Sequence, residues 1–153
     1  MKINVPGSGI YDLETLILDL NGTLAIRGKL IKGVKDRIQK IKKLGLKVVL
    51  FSGDTRGNAD KISKDFNIEL VTTKTSAEKL KALKKLNPNR CVAIGNGLID
   101  AKYLKAARLG IAVVQAEGAH TQAILAADIR MLSVNDALDL LLNEKTFIST
   151  LRQ

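Results

Sequence analysis

TLILDLNGTLA, residues 15–25, is the stretch that decides the reading of this chain. Thr15 to Leu18 make a short apolar run without polar alternation, the pattern of a strand covered on both faces. The run meets a carboxylate, Asp19, and then the turn-forming residues Asn21, Gly22 and Thr23. Working outward, TLILDL (15–20) is followed by similar runs at LKVVLF (46–51), IELV (68–71), CVAIG (91–95), IAVV (111–114) and DIRML (128–132). Helical patterns fill the gaps. Val34, Ile38, Ile41 and Leu44 recur at helical spacing before Gly45, and Ala59, Ile62 and Phe66 mark a second helix. Thr75 and Glu78 form a capping-box pattern opening a third, with Ala77, Leu80 and Leu83 as its stripe. Ala101, Leu104 and Ala107 predict a fourth, ended by Gly110, and shorter helices are expected over 120–126 and 134–142. Strands alternating with helices predict an α/β fold with a mostly parallel sheet. Two hairpins complete the pattern, one over about 1–13 and one over about 24–32 with Arg27-Gly28 at its tip.

Composition narrows the chemistry. The chain has 153 residues and reads as a single domain, 1–153, without repeats or linkers. No apolar run approaches the roughly 20 residues that span a bilayer, and MKINVPGSG lacks the apolar segment of a signal peptide, so no membrane is expected and the expected compartment is the cytoplasm. One cysteine, Cys91, excludes an internal disulfide and a multi-thiolate metal site, and its place in an apolar run predicts a buried strand thiol. One histidine, His120, is expected as a surface or cap residue. Neither a G-x-S-x-G elbow nor a Walker A loop is present. Carboxylates, lysines, hydroxyls and backbone amides remain. The net charge is +10, and 8 of the 25 basic residues fall between Lys29 and Lys47. With aromatics at 3%, no stacking platform accompanies that charge, so solvated helix faces are expected rather than a nucleic-acid surface.

In an open parallel sheet, ligands bind at the carboxyl ends of the strands. Asp19 at such an end can attack phosphorus, with the amides of Leu20 and Asn21 toward the phosphoryl oxygens and Thr23 closing the same phosphate-facing loop. The same residues also describe a turn that merely caps a strand, and the stretch alone leaves both open. After the second run, the Ser52 hydroxyl and the Gly53 amide predict a phosphate clamp within Ser52 to Thr55. Lys79, one turn inside its helix, can pair with a phosphate or a nucleophile. Asn96 and Asp100 follow another strand at a spacing suited to hard oxygen ligands for Mg²⁺.

The order D-x-N-G-T-L, S-G-D, helix-borne Lys and G-N-G-x-x-D resembles the haloacid dehalogenase superfamily of phosphohydrolases. SGDTRGNADKI, SAEKLKALKKL and AIGNGLIDAKYLKAARLGIAVV are similar to three segments of the phosphorylation domain of P-type ATPases. The likeness runs from about residue 14 to 142, and points to the soluble P-type-ATPase-like group. It implies a three-layer Rossmann-like fold, capless, with the 24–32 hairpin as a short flap. It implies Asp19 as the residue that becomes an aspartyl-phosphate, Ser52 as phosphate-binding hydroxyl and Lys79 as the neutralising lysine. Asp19, the carbonyl of Asn21, Asn96 and Asp100 would hold Mg²⁺.

Two departures stand out. Asn21 occupies the catalytic position where phosphatases of this superfamily carry an acid/base Asp. An amide cannot exchange that proton, and such catalysis is typically worth about 10²–10⁴ in rate. Asn96 stands where the metal site normally has an Asp. Only 33 positions separate Asp19 from Ser52, which leaves no room for a nucleotide-binding domain or a cap. The expectation is a slow Mg²⁺-dependent phosphohydrolase acting on ATP or a phosphorylated small molecule, with a homo-oligomer as one way to cover the capless site. A phosphate- or partner-binding relative without turnover is the second reading, and a nucleic-acid binder using the basic helix is the third.

Overall fold

A computed structural model describes residues 1–54 and 57–153. The hairpin β1 (Lys2–Val5) and β2 (Gly9–Asp12) precedes β3 (Thr15–Asp19). A two-residue-per-strand hairpin, β4 (Ala25–Ile26) and β5 (Lys29–Leu30), leads into α1 (Val34–Lys43). Then come β6 (Lys47–Ser52), α2 (Asn58–Phe66), β7 (Glu69–Thr72), α3 (Ser76–Lys84), β8 (Cys91–Gly95) and α4 (Ala101–Ala106). The chain continues through β9 (Leu109–Val113), α5 (Thr121–Ala126), β10 (Ile129–Met131), α6 (Val134–Leu142) and α7 (Glu144–Leu151).

Six strands form one parallel sheet in the order β10-β9-β8-β3-β6-β7. The chain runs outward from β3 through β6 to β7, then returns to β8 on the other side of β3. That reversal puts the switch point of the topology between β3 and β8, where such sheets open a crevice at their carboxyl ends. Alternate side chains of β3 feed the two faces: Leu16 and Leu18 join Ile38, Phe66, Leu138 and Phe147 on one side. Ile17 joins Leu83, Tyr103, Leu104 and Ala123 on the other. Helices α1, α2, α6 and α7 thus cover one face, and α3, α4 and α5 the other. This is why the runs read as continuous rather than alternating.

Cys91 is a buried strand thiol, and burial pushes it up to about 11. His120 caps α5, its ring accepting from the Gln122 amide at 3.1 Å. The capping box on α3 is formed by Thr75 and Glu78.

Two local expectations need correcting. Gly110 does not stop α4; it lies inside β9, opposite Ala93. A Cβ at Gly110 would sit 2.4 Å from the Leu104 carbonyl oxygen, so the helix end packs directly on the strand and leaves no space for a side chain. On α3, Ala77 is exposed and the inward face carries Lys79 and Leu83, with Leu80 half-buried, because the helix turns its lysine toward the strand ends. The helix expected over 134–142 forms as α6, and a further one, α7, follows it, its start capped by Asn143.

Candidate active site

Asp19 ends β3, buried, and Asp100 follows β8 with no exposed surface. Lys79 reaches between them from α3. Its Nζ donates to Asp19 Oδ1 at 2.6 Å and to Asp100 Oδ1 at 2.6 Å, with its side chain 2% exposed. The second oxygen of Asp100 accepts from the amides of Asn96 at 3.0 Å and Gly97 at 2.9 Å, which fixes the carboxylate. Below the ammonium lies the Tyr103 ring, centroid 5.4 Å away, with its hydroxyl donating to the Ile94 carbonyl at 2.8 Å.

Two carboxylates share one cation in a dry setting. Burial first, then the Asp100 charge, push Asp19 up to about 7 against the pull of Lys79 and of the Leu20 amide. Burial opposes the charged form of Lys79, but the charges of Asp19 and Asp100 outweigh it and its pKa is raised. The ammonium therefore stays charged, and the crowding of two carboxylates on one buried cation is what lifts Asp19. An isolated ion pair there is a weak device for stability, and removing one partner of a buried set typically costs about 3–5 kcal/mol.

The cleft above this group has a volume of ≈ 460 Å³ and is lined by Asp19, Asn21, Ser52, Gly53, Lys79 and also Asp54, Thr73, Lys74 and Ile99. The strand ends thus bring together Asp19, Asn21, Ser52, Gly53 and Lys79 as expected, with Asp100 directly beneath. Ser52 accepts from the Asp54 amide at 3.1 Å, and Asp54 in turn accepts from the Ala59 amide at 3.0 Å, tying the loop to α2. Thr55 falls outside the described residues.

The geometry turns Thr23 and Asn96 toward the loops, while the amide of Leu20 stays at Asp19. The Leu20 side chain is buried in the core, and only its backbone faces Asp19. Thr23 is buried and donates to Asn96 Oδ1 at 3.3 Å rather than facing the cleft. The Asn96 amide nitrogen donates to the Gly118 carbonyl at 3.1 Å, so both ends of this side chain serve the loops. Gln115 adds a second clamp, donating to the carbonyls of Gly22 and Thr23 at 2.9 and 2.8 Å and accepting from the Val134 amide at 2.8 Å. Gly22, at φ 80°, lies so close that a Cβ would meet Asn96 Nδ2 at 2.2 Å. Sequence reading missed Gln115, which no motif marks. It also missed Thr73 and Lys74, although the strand-end rule applied to IELV would have reached them.

Among the described residues there is no cluster of three His, Cys, Asp or Glu able to hold a metal. Asp19 nevertheless supplies a hard oxygen donor at the cleft floor, with the Asp100 carboxylate buried beneath it, and Asn21 lines the same cleft. That donor set fits Mg²⁺, which typically takes one or two carboxylates and fills the rest with carbonyls, water and phosphate.

A family model for the haloacid dehalogenase-like hydrolases matches residues 3–108. An uncharacterised protein of Methanocaldococcus jannaschii is 53% identical over 74 residues, 48% of this chain and 80% of that protein. A probable copper-exporting P-type ATPase of Archaeoglobus fulgidus is 35% identical over 96 residues, 61% of this chain and 12% of the pump. The chain therefore spans only a small part of such pumps. Among solved structures, 3-deoxy-D-manno-octulosonate 8-phosphate phosphatase from Moraxella catarrhalis, in complex with magnesium, phosphate and the sugar acid, shares the fold. It superposes at TM-score 0.71 over 92% of this chain and 94% of that one, at 22% identity. The catalytic domain of the CPx-ATPase CopB superposes at 0.66 with 28% identity, over 75% of this chain and 46% of that one.

Proposed function

From the premise that this chain belongs to the haloacid dehalogenase-like hydrolases, we propose a Mg²⁺-dependent phosphohydrolase that works slowly through an aspartyl-phosphate at Asp19. The observation that carries this reading is the Lys79 ammonium, held 2.6 Å from both Asp19 and Asp100 at the switch point of the sheet. The carboxylate of Asp19 attacks phosphorus, an acyl-phosphate bond forms, and the bond to the leaving oxygen breaks. Water then attacks the same phosphorus, releasing inorganic phosphate and restoring Asp19. Lys79 neutralises charge on the phosphoryl group, and the Ser52 hydroxyl and Gly53 amide hold its oxygens. Mg²⁺, held by Asp19, Asp100 and the Asn21 carbonyl, would supply further charge neutralisation. Asn96 holds the Thr23 hydroxyl with its oxygen and the Gly118 carbonyl with its nitrogen, which fixes the amide beside that set.

Asn21 lines the cleft but cannot donate or accept the proton that each step needs, so protons come from solvent through the open mouth. The substrate is a phosphorylated small molecule or ATP, handled in the cytoplasm. The test is phosphate release from ATP, p-nitrophenyl phosphate and a panel of phosphometabolites, with and without Mg²⁺. Asp19→Asn is expected to abolish release while retaining the parent's fold. Equal rates for the two proteins would refute the chemistry.

One observation favours a second reading, a phosphate-binding protein without turnover. The amide of Asn96 is committed at both ends to the loops, which leaves two carboxylates for a metal. In that case phosphate binds to parent and Asp19→Asn alike and neither releases product.

A further inference from the structure

Gly22 is the loosest point of the loop that follows Asp19. A glycine turns about its backbone bonds more freely than any other residue, and this one sits at φ 80° with no room for a side chain. The peptide on each side of it is nevertheless pinned. On the Asn21 side, the Gly22 amide donates to the Ala25 carbonyl at 2.7 Å. That peptide is trans, so the Asn21 carbonyl points the other way, away from Ala25. On the Thr23 side, the Gly22 carbonyl accepts from Gln115 Nε2 at 2.9 Å, and the Thr23 carbonyl accepts from the same nitrogen at 2.8 Å. Gln115 Oε1 accepts in turn from the amide of Val134 at 2.8 Å, the first residue of α6. First-turn amides have no partner inside their helix, and α6 is anchored in the core through Val134, Leu138 and Leu141. One side chain, donating at one end and accepting at the other, thus ties the loosest point of the loop to a rigid element. With both peptides held, rotation at Gly22 is blocked and the Asn21 carbonyl keeps one direction.

Resting on the Mg²⁺-dependent reading of the cleft, we infer that Gln115 is a positioning residue of this site: by immobilising Gly22 it fixes the Asn21 carbonyl as an oxygen ligand for Mg²⁺. Gln115 itself is absent from the cleft lining. Mg²⁺ demands near-ideal octahedral geometry, so a carbonyl free to swing is a poor ligand for it.

The experiment compares the parent with Gln115→Met, which keeps the length of the side chain and removes both of its hydrogen-bonding ends. Gly110→Ala is the control, because it strains the junction with α4 at the other end of β9. The first readout is the dissociation constant of Mg²⁺ alone, by titration calorimetry. In Gln115→Met it is expected to rise about 10- to 100-fold, the usual effect of losing a residue that orients a metal ligand. Gly110→Ala melts at a lower temperature but binds Mg²⁺ as the parent does. The second readout is hydrogen exchange at the Gly22 amide, expected to quicken about tenfold or more in Gln115→Met while Leu18 in β3 keeps the parent's rate. Unchanged Mg²⁺ affinity, a loss matched by Gly110→Ala, or weaker binding without faster exchange at Gly22 overturns the assignment and leaves Gln115 as a structural tie. If the parent binds no Mg²⁺, the metal-dependent reading fails by itself, and exchange decides the positioning role. A selective loss of protection at Gly22 in Gln115→Met then upholds it, and an unchanged or globally raised rate overturns it.

Discussion

Asn96 shows how one side chain can satisfy the sequence pattern of a metal site while its atoms serve another purpose. Its oxygen accepts from Thr23 and its nitrogen donates to Gly118, so the amide joins the loop after β3 to the loop after β9. The amide does both because its oxygen accepts and its nitrogen donates, whereas an ionised carboxylate in its place could only accept. In metal-free buffer Asn96→Asp is expected to lose about 1–3 kcal/mol of stability, because a carboxylate would face the Gly118 carbonyl. Mg²⁺ should then raise the melting temperature of the variant more than that of the parent. Denaturant and thermal melts with and without Mg²⁺ check this; a metal-free variant as stable as the parent would show that the amide ties are not used. At this scale the sequence displayed residue types but not orientations. Asp19, Ser52, Gly53 and Lys79 were legible because each directly follows or faces a strand end. The inward turn of Asn96 and Thr23, and the clamp from Gln115, depend on contacts across more than 70 positions that no local pattern encodes.

Among the elements, α1 carries the densest basic charge, yet much of it is engaged. Lys35 pairs with Asp65, Arg37 with Asp139 and Lys40 with Asp36, while Lys42 donates to the carbonyls of Phe66 and Asn67 at the end of α2. These exposed pairs add little stability individually, but they mix acidic charge into the stripe that a nucleic-acid surface would need. The hairpin β4–β5 forms as its Arg27-Gly28 tip suggested, both residues at positive φ. Its tip is tied to the neighbouring 115–118 loop through the Arg27 amide and Glu117 carboxylate, and the cleft lining contains no residue of β4 or β5. The junction of α4 with β9 is where helical periodicity misled, since a glycine after a helix reads as a stop unless the close approach of the strand is known. Gly110→Ala should force the Leu104 carbonyl aside and cost about 1–3 kcal/mol, the usual price of overpacking. Its unfolding midpoint in urea measures the loss; a midpoint matching the parent would mean that α4 does not rest on Gly110 as described.

The whole molecule was legible at the level of architecture because its order of strands and helices leaves few topologies. The parallel crossovers, for which a right-handed turn is the rule, place β6 and β7 on one side of β3 and β8, β9 and β10 on the other, and the cleft follows from the reversal. What the chain order could not show is how dry the group at the cleft floor becomes. Asp19, Lys79 and Asp100 are buried together, so charge balance among them governs the site. The central claim is that Asp19 forms a covalent intermediate which persists because Asn21 supplies no acid or base. Rapid mixing with p-nitrophenyl phosphate tests it most directly, since the nitrophenolate leaves without needing a proton and only the attack of water is slow. The account predicts a burst of one nitrophenolate per chain followed by slow turnover in the parent, and neither burst nor turnover in Asp19→Asn. In Asn21→Asp the steady rate should rise by up to about 10²–10⁴ and the burst should shrink accordingly. A burst that survives in Asp19→Asn, or an Asn21→Asp rate no faster than the parent's, would contradict the account.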